Sequence, residues 1–409
     1  MSQSHQFDIA IIGGGMVGAS LAAMLPKTLS IAVIESFPLP SESALDLSSI
    51  QPSFDNRATA LSKSSQYIFE QAGLWQAIAP FCETIKDVHV SDKGYWGSVL
   101  LSEKQEKLDE LGFVVENIAL GRLIFSQIVN RSNIHCISPV RVSDIQVQAQ
   151  GVRLSCLSQG HEGASELTAK LAIVADGANS EMCSKLGVNT HIHDYAHTAI
   201  IANIATSKAH HNIAYERFTE TGPLALLPLL SPDNKTQRSA LVWTLPTDQA
   251  ESLLALNDAD FLHQLQQRFG DFQGEFMRCG NRFSYPLALS STVEQVRNHV
   301  VIMGNAAHSL HPVAGQGFNL ALRDVACFVS VLNQAIKANE AWNKLAVLER
   351  YQSAQTDDQL LTTIFSDTLP QLFSNTSMPL AAGRNAGLLA LELLPSLKTQ
   401  FVSFATGYR

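Results

Sequence analysis

Phe7-Asp8-Ile9-Ala10-Ile11-Ile12-Gly13-Gly14-Gly15-Met16-Val17-Gly18 decides how this 409-residue chain is read. The mostly apolar run from Phe7 to Ile12 predicts a buried parallel strand, and a helix is expected from about Met16 to Leu25. Between them lies a GxGxxG turn. Gly13 permits the tight turn, Gly15 lets a pyrophosphate approach the backbone, and Gly18 allows close packing of helix on strand. The unpaired N–H groups and positive end of the helix are suited to phosphates. Leu29 to Glu35 reads as the next parallel strand, closing a βαβ unit. Glu35 falls about 20 residues after Gly15, where an acid can bind ribose hydroxyls. A glycine turn without a ligand is the alternative, and the combination of strand, helix and acid argues against it. This first motif does not separate FAD from NAD.

Working outward, the Pro- and Ser-containing stretch Pro38–Ser53 predicts a long loop. Helices are expected around Lys63–Ala72 and Arg122–Asn130, and short strands over Gly151–Cys156 and Leu171–Ala175. Tyr195 to Leu245 alternates in places and is punctuated by Pro and Gly, as in an antiparallel sheet. Val300–Met303 reads as another buried strand, leading through a glycine-rich turn into a helix from about Gly317 to Ala335. The remainder reads as helical. Strand, glycine turn and helix thus occur at both ends of the chain, which implies a discontinuous first domain with a second inserted. The expected fold class is α/β. Segments 1–75, 110–185 and 281–340 form a Rossmann-like cofactor domain, 76–109 and 186–280 a substrate domain with an antiparallel sheet, and 341–409 a helical region.

Bulk composition narrows the function classes. Hydrophobic content of 46% against 16% charged residues is that of a globular chain with a large interior. A net charge of −9 without any dense basic run argues against nucleic acid as a partner. The six cysteines are scattered without a CxxC pair, so free buried thiols in a reducing compartment are expected. Ile9–Leu25 lacks the preceding basic residues of a signal peptide and is broken by glycines. No run approaches the ~20 apolar residues of a membrane span. The expected location is cytoplasmic, with contact to a membrane surface left open.

Two further motifs separate FAD from NAD. Ile302-Met303-Gly304-Asn305-Ala306-Ala307-His308, then Pro312, Gly315-Gln316-Gly317-Phe318-Asn319 and Arg323-Asp324, reads as strand, turn and new helix N-terminus. It resembles the "GD" motif of class A flavoprotein monooxygenases, which holds the ribityl chain and flavin ring. Ala175-Asp176-Gly177-Ala178-Asn179-Ser180 resembles that family's "DG" motif. Phe54-Asp55-Asn56-Arg57-Ala58-Thr59-Ala60-Leu61, Tyr215-Glu216-Arg217-Phe218 and Gly222-Pro223-Leu224-Ala225 look like the ubiquinone-biosynthesis hydroxylases. Asn305-Ala306-Ala307 and Gly383-Arg384-Asn385-Ala386-Gly387-Leu388 are most similar to the branch acting on octaprenyl-methoxyphenol. Asn305 departs from the family's usual Asp, but its carbonyl can still accept a ribityl hydroxyl hydrogen bond.

The resemblance spans essentially the whole chain and implies a fold of the para-hydroxybenzoate hydroxylase type. It implies that FAD is reduced by transiently bound NAD(P)H. O2 then adds at the flavin C4a position, and the hydroperoxide passes an OH to an activated, prenylated phenol. It also places Arg57 and Arg122 near FAD, a surface ion pair being the alternative for each. Pro312, Gly315, Gln316 and Gly317 would form the flavin-ring loop, with backbone N–H groups of Gly315 to Phe318 facing the charge of reduced flavin. No catalytic side chain is assigned. His308 reads as a loop-orienting histidine, and Trp75, Trp96 and Trp243 read as core residues.

The implied partners are a quinone-biosynthesis complex, an inner-membrane surface or a second copy of the chain. The rival functions are a flavin-dependent reductase of an isoprenoid substrate and a non-catalytic flavin-bound subunit.

Overall fold

The computed structural model describes residues 5–38, 57–158, 164–231, 237–311, 315–374 and 378–407. His5–Ile12 is the centre of an eight-stranded sheet. It pairs in parallel with Ile31–Ile34 on one side and Ala164–Val174 on the other. Ile134–Ile137 and Val300–Ile302 extend these two sides, again in parallel. Both faces of the central strand are covered, which is why it reads as a nearly unbroken apolar run. Ile9 and Ile11 enter a core shared with the helices Met16–Met24, Asn117–Ile128 and Gln316–Lys337. Phe7, Ala10 and Ile12 enter a second core, beneath the antiparallel strands Val140–Gln148 and Gly151–Ser158. The helix expected from Arg122 begins earlier, at Asn117, because the strand Gly112–Glu116 runs directly into it.

A nine-stranded sheet takes Asp87–Asp92, Ser98–Ser102, the strands between Thr190 and Thr292, and His308–Ser309. Its pairings are antiparallel except that Ile213–Thr219 runs parallel to Asp87–Asp92, where the earlier hairpin joins the edge. Ile200, Leu224, Leu226, Leu241 and Trp243 pack one face against Phe261, Leu265 and Phe269 of the helix Asp258–Phe269. A three-stranded sheet, Ala58–Ser62, Gly112–Glu116 and Cys82–Ile85, lies between the two larger ones in the chain's course.

The C-terminal helices Leu345–Ser374, Met378–Leu393 and Pro395–Thr406 complete the molecule. Met378–Leu393 and Pro395–Thr406 are fastened to the Asp87–Ser102 hairpin by polar contacts. The Gly97 N–H donates to Asn385 Oδ1 at 2.6 Å, and Lys398 Nζ donates to the Leu100 carbonyl at 2.9 Å. At the tip of that hairpin Trp96 is 100% exposed, contrary to the core position expected for it; Trp243 is buried as expected. A hairpin tip has no layer above it to cover an aromatic side chain. All six cysteines are free. No helix among the described residues is long and apolar enough to cross a membrane.

Candidate active site

Three glycine turns meet behind one cavity. Gly13 has φ +101°, and its N–H donates to the Ile34 carbonyl at 2.9 Å. A Cβ there would lie 2.3 Å from the Ala175 carbonyl oxygen, so the first turn touches the turn after Ala164–Val174 backbone to backbone. A Cβ on Gly18 would lie 2.0 Å from the Gly13 carbonyl oxygen, which seats the helix tightly on its own turn. Only glycine satisfies either contact. Gly15 caps the helix without any side-chain hydrogen bond, leaving the first N–H groups available to a ligand.

Glu35 is buried at the end of its strand. Its carboxylate accepts from the Gly14 N–H at 2.7 Å and from the Phe37 N–H at 2.9 Å. Its visible work is therefore to hold the glycine turn. The second turn carries Asp176, whose Oδ2 accepts from the Met182 N–H at 3.4 Å and whose Oδ1 is buried without a partner among the described residues. Gly177, with φ +91°, has nothing within 4 Å of its Cβ position. At the third turn Gly304, with φ +61°, packs against Val17 of the first helix, and Asn305 is exposed.

Gly315 opens the long helix Gln316–Lys337 in a left-handed conformation, φ 60° and ψ 27°, again without a side-chain cap. Asn319 clamps this opening to the strand Ala58–Ser62. Its Oδ1 accepts from the Ser62 N–H at 2.9 Å and the Ser65 hydroxyl at 2.7 Å; its Nδ2 donates to the Ala60 and Gly315 carbonyls, each at 2.8 Å. With both amide atoms engaged, the Asn319 side chain positions the turn. A Cβ on Gly317 would meet nothing within 4 Å, so the first turn of the helix presents bare backbone to open space. Behind it His308 Nε2 and Asp324 Oδ2 are 2.6 Å apart and buried, and Gln359 donates to the other Asp324 oxygen. His308 thus ties the third turn to the helix, as a loop-orienting residue would.

Gly15, Arg57, Gly177, Gly304, Asn305, Gly315, Gln316, Gly317, Phe318 and Asn319 line a single cavity of about 820 Å³. Gly13, Gly18, Glu35 and Asp176 stand in the walls behind it. Arg122 is exposed on the helix Asn117–Ile128, and Pro312 lies outside the described residues. Arg57 lies over the Tyr285 ring, 4.5 Å from its centre. Beyond the glycine turns the cavity continues as an apolar arm between the nine-stranded sheet and the C-terminal helices. Val88, Val99, Leu101, Leu227, Leu388 and Phe401 are among its walls. Sequence reasoning did not assign Glu216, Tyr285 and Arg384 to a site, yet all three line it. For Glu216 the only signal was an acid in a strand whose neighbours in the alternation, Ala214 and Phe218, are apolar.

The residues fit FAD. Gly177 and Gly317 leave bare backbone where a Cβ would fill space, two uncapped helix starts face the same cavity, and Asp176 Oδ1 offers a buried acceptor to a ligand hydroxyl. The size lies within the ~300–1,000 Å³ of small-molecule sites. Among the described residues no cluster could hold a metal ion. His311, against the Tyr195 ring, is pushed down to about 4 by burial and then by His197, so it is neutral at neutral pH.

Comparison with known proteins agrees. The family described as "FAD binding domain" matches residues 6–357. The ubiquinone hydroxylase UbiL of Rhodospirillum rubrum is 33% identical over 402 residues, covering 98% of this chain and 89% of that protein. The 3-demethoxyubiquinol 3-hydroxylase of Escherichia coli is 30% identical over 404 residues, covering 98% of each. Among solved structures, p-nitrophenol 4-monooxygenase PnpA of Pseudomonas putida DLL-E4 superposes with TM-score 0.78 over 99% of this chain and 100% of that one. At 17% identity that likeness shows the fold. The chain therefore belongs to the FAD binding domain family and is a flavin-dependent monooxygenase.

Proposed function

We propose that the protein hydroxylates an apolar, prenylated phenol or methoxyphenol of ubiquinone biosynthesis, using FAD, NAD(P)H and O2. One observation carries this reading: the glycine turns that fit FAD and a long apolar arm share one cavity. A polar aromatic acid would gain nothing from that arm, whereas each buried isoprenoid CH2 contributes about 0.8 kcal/mol. The relatives named as ubiquinone hydroxylases support the same class.

FAD, when bound and reduced, supplies the activation of O2. The chain's own residues do the rest. Gly15 and the N–H groups after it hold phosphate, and Glu35 keeps that turn in shape through the Gly14 N–H. The N–H groups at the start of Gln316–Lys337 open into the same cavity and would favour negative charge on a flavin ring held there. The apolar walls keep water away from the reacting atoms and orient the phenol.

The decisive experiment incubates the FAD-loaded protein with a prenylated phenol, NAD(P)H and 18O-labelled O2. One labelled oxygen atom in the product is expected. A reduced, unlabelled product would establish a reductase instead, and unchanged phenol with no NAD(P)H consumed would establish a non-catalytic subunit.

The same helix that lines the arm carries apolar residues on its outer side. Leu389 and Leu393 are 55% and 67% exposed, on the helix whose Asn385 is bonded to Gly97, next in sequence to the fully exposed Trp96. An aromatic at a hairpin tip beside an apolar helix face suits the boundary of a lipid layer. The substrate would enter the arm from that layer. Replacing both Trp96 and Leu393 with Glu is expected to reduce co-sedimentation with phospholipid vesicles severalfold or more while leaving FAD content unchanged. Undiminished sedimentation would point to a protein partner at this face.

A further inference from the structure

Glu216 is the one carboxylate among the described residues that line the cavity. It lies mid-strand in Ile213–Thr219, with its side chain on the face shared by Ala214 and Phe218. Its cross-strand neighbours are Ala225 on one side and Val90 on the other, both also cavity walls. Protein surrounds it, and its remaining accessible surface opens into the cavity.

Among the described residues none pairs with the Glu216 carboxylate. The cationic side chains that line the cavity, and the one beside it in the strand, are committed elsewhere. Arg217, next in the strand, turns to the opposite face, where it meets Ser91 and the Phe272 ring. Arg57 stacks on Tyr285, and Arg384 is bonded to Asp92. Tyr215 packs against Phe269 and Phe272. A carboxyl group placed among apolar walls is costly unless something else supplies a hydrogen bond. The substrate class proposed above has one strong donor, its phenolic O–H.

We propose that Glu216 is the catalytic base of the hydroxylation, accepting the hydrogen bond of the substrate's phenolic O–H and then taking that proton. The inference rests on the phenol-hydroxylating reading. The phenolic O–H bond breaks and leaves its electron pair on oxygen, while a new O–H bond forms on the carboxylate. The electron-rich ring then attacks one oxygen atom derived from O2: a ring C–O bond forms as the O–O bond breaks, and the second oxygen atom leaves as water with the two electrons that NAD(P)H supplies. When the ring proton leaves carbon for solvent and aromaticity returns, Glu216 gives its proton back to the original oxygen. Burial pushes the Glu216 carboxyl up to about 7, near the operating pH at which a general base works best. The charged and titratable groups that line the same cavity are Arg57, Arg384, Tyr215 and Tyr285, and Arg217 and His89 flank Glu216 on the opposite face of the sheet, against Phe272.

The test uses the FAD-loaded full chain and 2-prenylphenol, with Glu216→Gln and Glu216→Leu. Gln keeps the shape and the hydrogen-bond acceptor but cannot take a proton. FAD content and melting temperature of Glu216→Gln should match the parent. Substrate affinity, read from the perturbed flavin absorbance without turnover, should fall only about threefold in Glu216→Gln, which keeps a neutral acceptor, and about tenfold or more in Glu216→Leu. Product formation in Glu216→Gln should fall about 100-fold, the low end of general-base effects, with NAD(P)H still consumed and hydrogen peroxide released. In the parent, product formation and affinity should both rise as pH increases through about 7, where the carboxyl ionises. In Glu216→Gln both should be flat there. A Glu216→Gln enzyme that keeps its product yield and the acid limb overturns the assignment. A parent enzyme that makes no labelled product overturns the phenol-hydroxylating reading itself, so the two failures are distinguishable.

Discussion

Gly317→Val is expected to give a folded, yellow protein that is reduced slowly by NAD(P)H and hydroxylates little. The position has ordinary helical backbone and nothing within 4 Å of its Cβ site, so the new side chain clashes with no protein atom. It enters the cavity instead, where the proposed function puts the ring of the cofactor. The first turn and Glu35 are untouched, so the adenosine end should be retained. The ring is pushed away from the N–H groups that begin Gln316–Lys337. Losing one such preorganised donor typically costs about 2.7–4 kcal/mol, or 10²–10³-fold in rate. Stopped-flow reduction, product yield and a melting curve read the three parts of this expectation. Gly315→Ala is the instructive contrast, because its φ of +60° and a Cβ only 3.1 Å from that of Ala60 strain the turn itself. That variant should lose melting temperature as well as activity. If Gly317→Val kept the parent's reduction rate and product yield, the ring would have to bind elsewhere.

Arg384→Leu is expected to cost about 3–5 kcal/mol of stability, the usual consequence of leaving one member of a buried ion pair alone. Arg384 and Asp92 side chains are each 3% exposed, with Nη2 and Oδ2 3.2 Å apart. Arg384 also donates to the Leu372 carbonyl and lies over the Tyr95 ring, so one side chain joins the last helices to the Asp87–Ser102 hairpin.

Burial holds the Asp92 carboxyl above its ordinary range even with Arg384 and Arg217 opposing. Without Arg384 it should rise further. A carboxyl whose folded pKa is raised contributes stability below its unfolded pKa, and that contribution is lost as pH rises through the folded value. The deficit of Arg384→Leu should therefore be larger at pH 8 than at pH 5. Adding Asp92→Leu should recover much of it, since an apolar pair of similar volume often replaces a buried ion pair without loss. Denaturant unfolding at both pH values measures this, and proteolysis of the C-terminal helices reports whether the cavity wall has come away. A loss below about 1 kcal/mol would mean that apolar contacts alone hold those helices.

The parts of this protein that were legible in the sequence are those decided within a few residues of backbone. Gly13 and Gly18 declare themselves because a φ of +101° and a 2.0 Å approach admit no side chain, whatever else the chain does. The apolar run before Gly13 announces a strand covered on both faces, and the later glycine turns read in the same way. Side chains whose partners lie far along the chain were not legible. Asn319 lines the cavity as expected of a cofactor residue, but the strand it also clamps is 257 positions away, at Ser62, and that role was not legible. Glu35 sits where the turn places it, yet its carboxylate is engaged by the Gly14 N–H. Arg122 was expected near the cofactor and is exposed, because helical periodicity alone does not say which face will be covered.

Tertiary structure alone placed Arg384 over Asp92, 292 positions apart, and enclosed Glu216 among apolar walls drawn from separate strands. It also left Trp96 bare at a hairpin tip. The physical reason is the range of the forces. Turn geometry and strand patterning are set by steric and burial preferences that act along the chain. Whether a given side chain is covered, paired or left facing a cavity depends on which distant surface is packed against it.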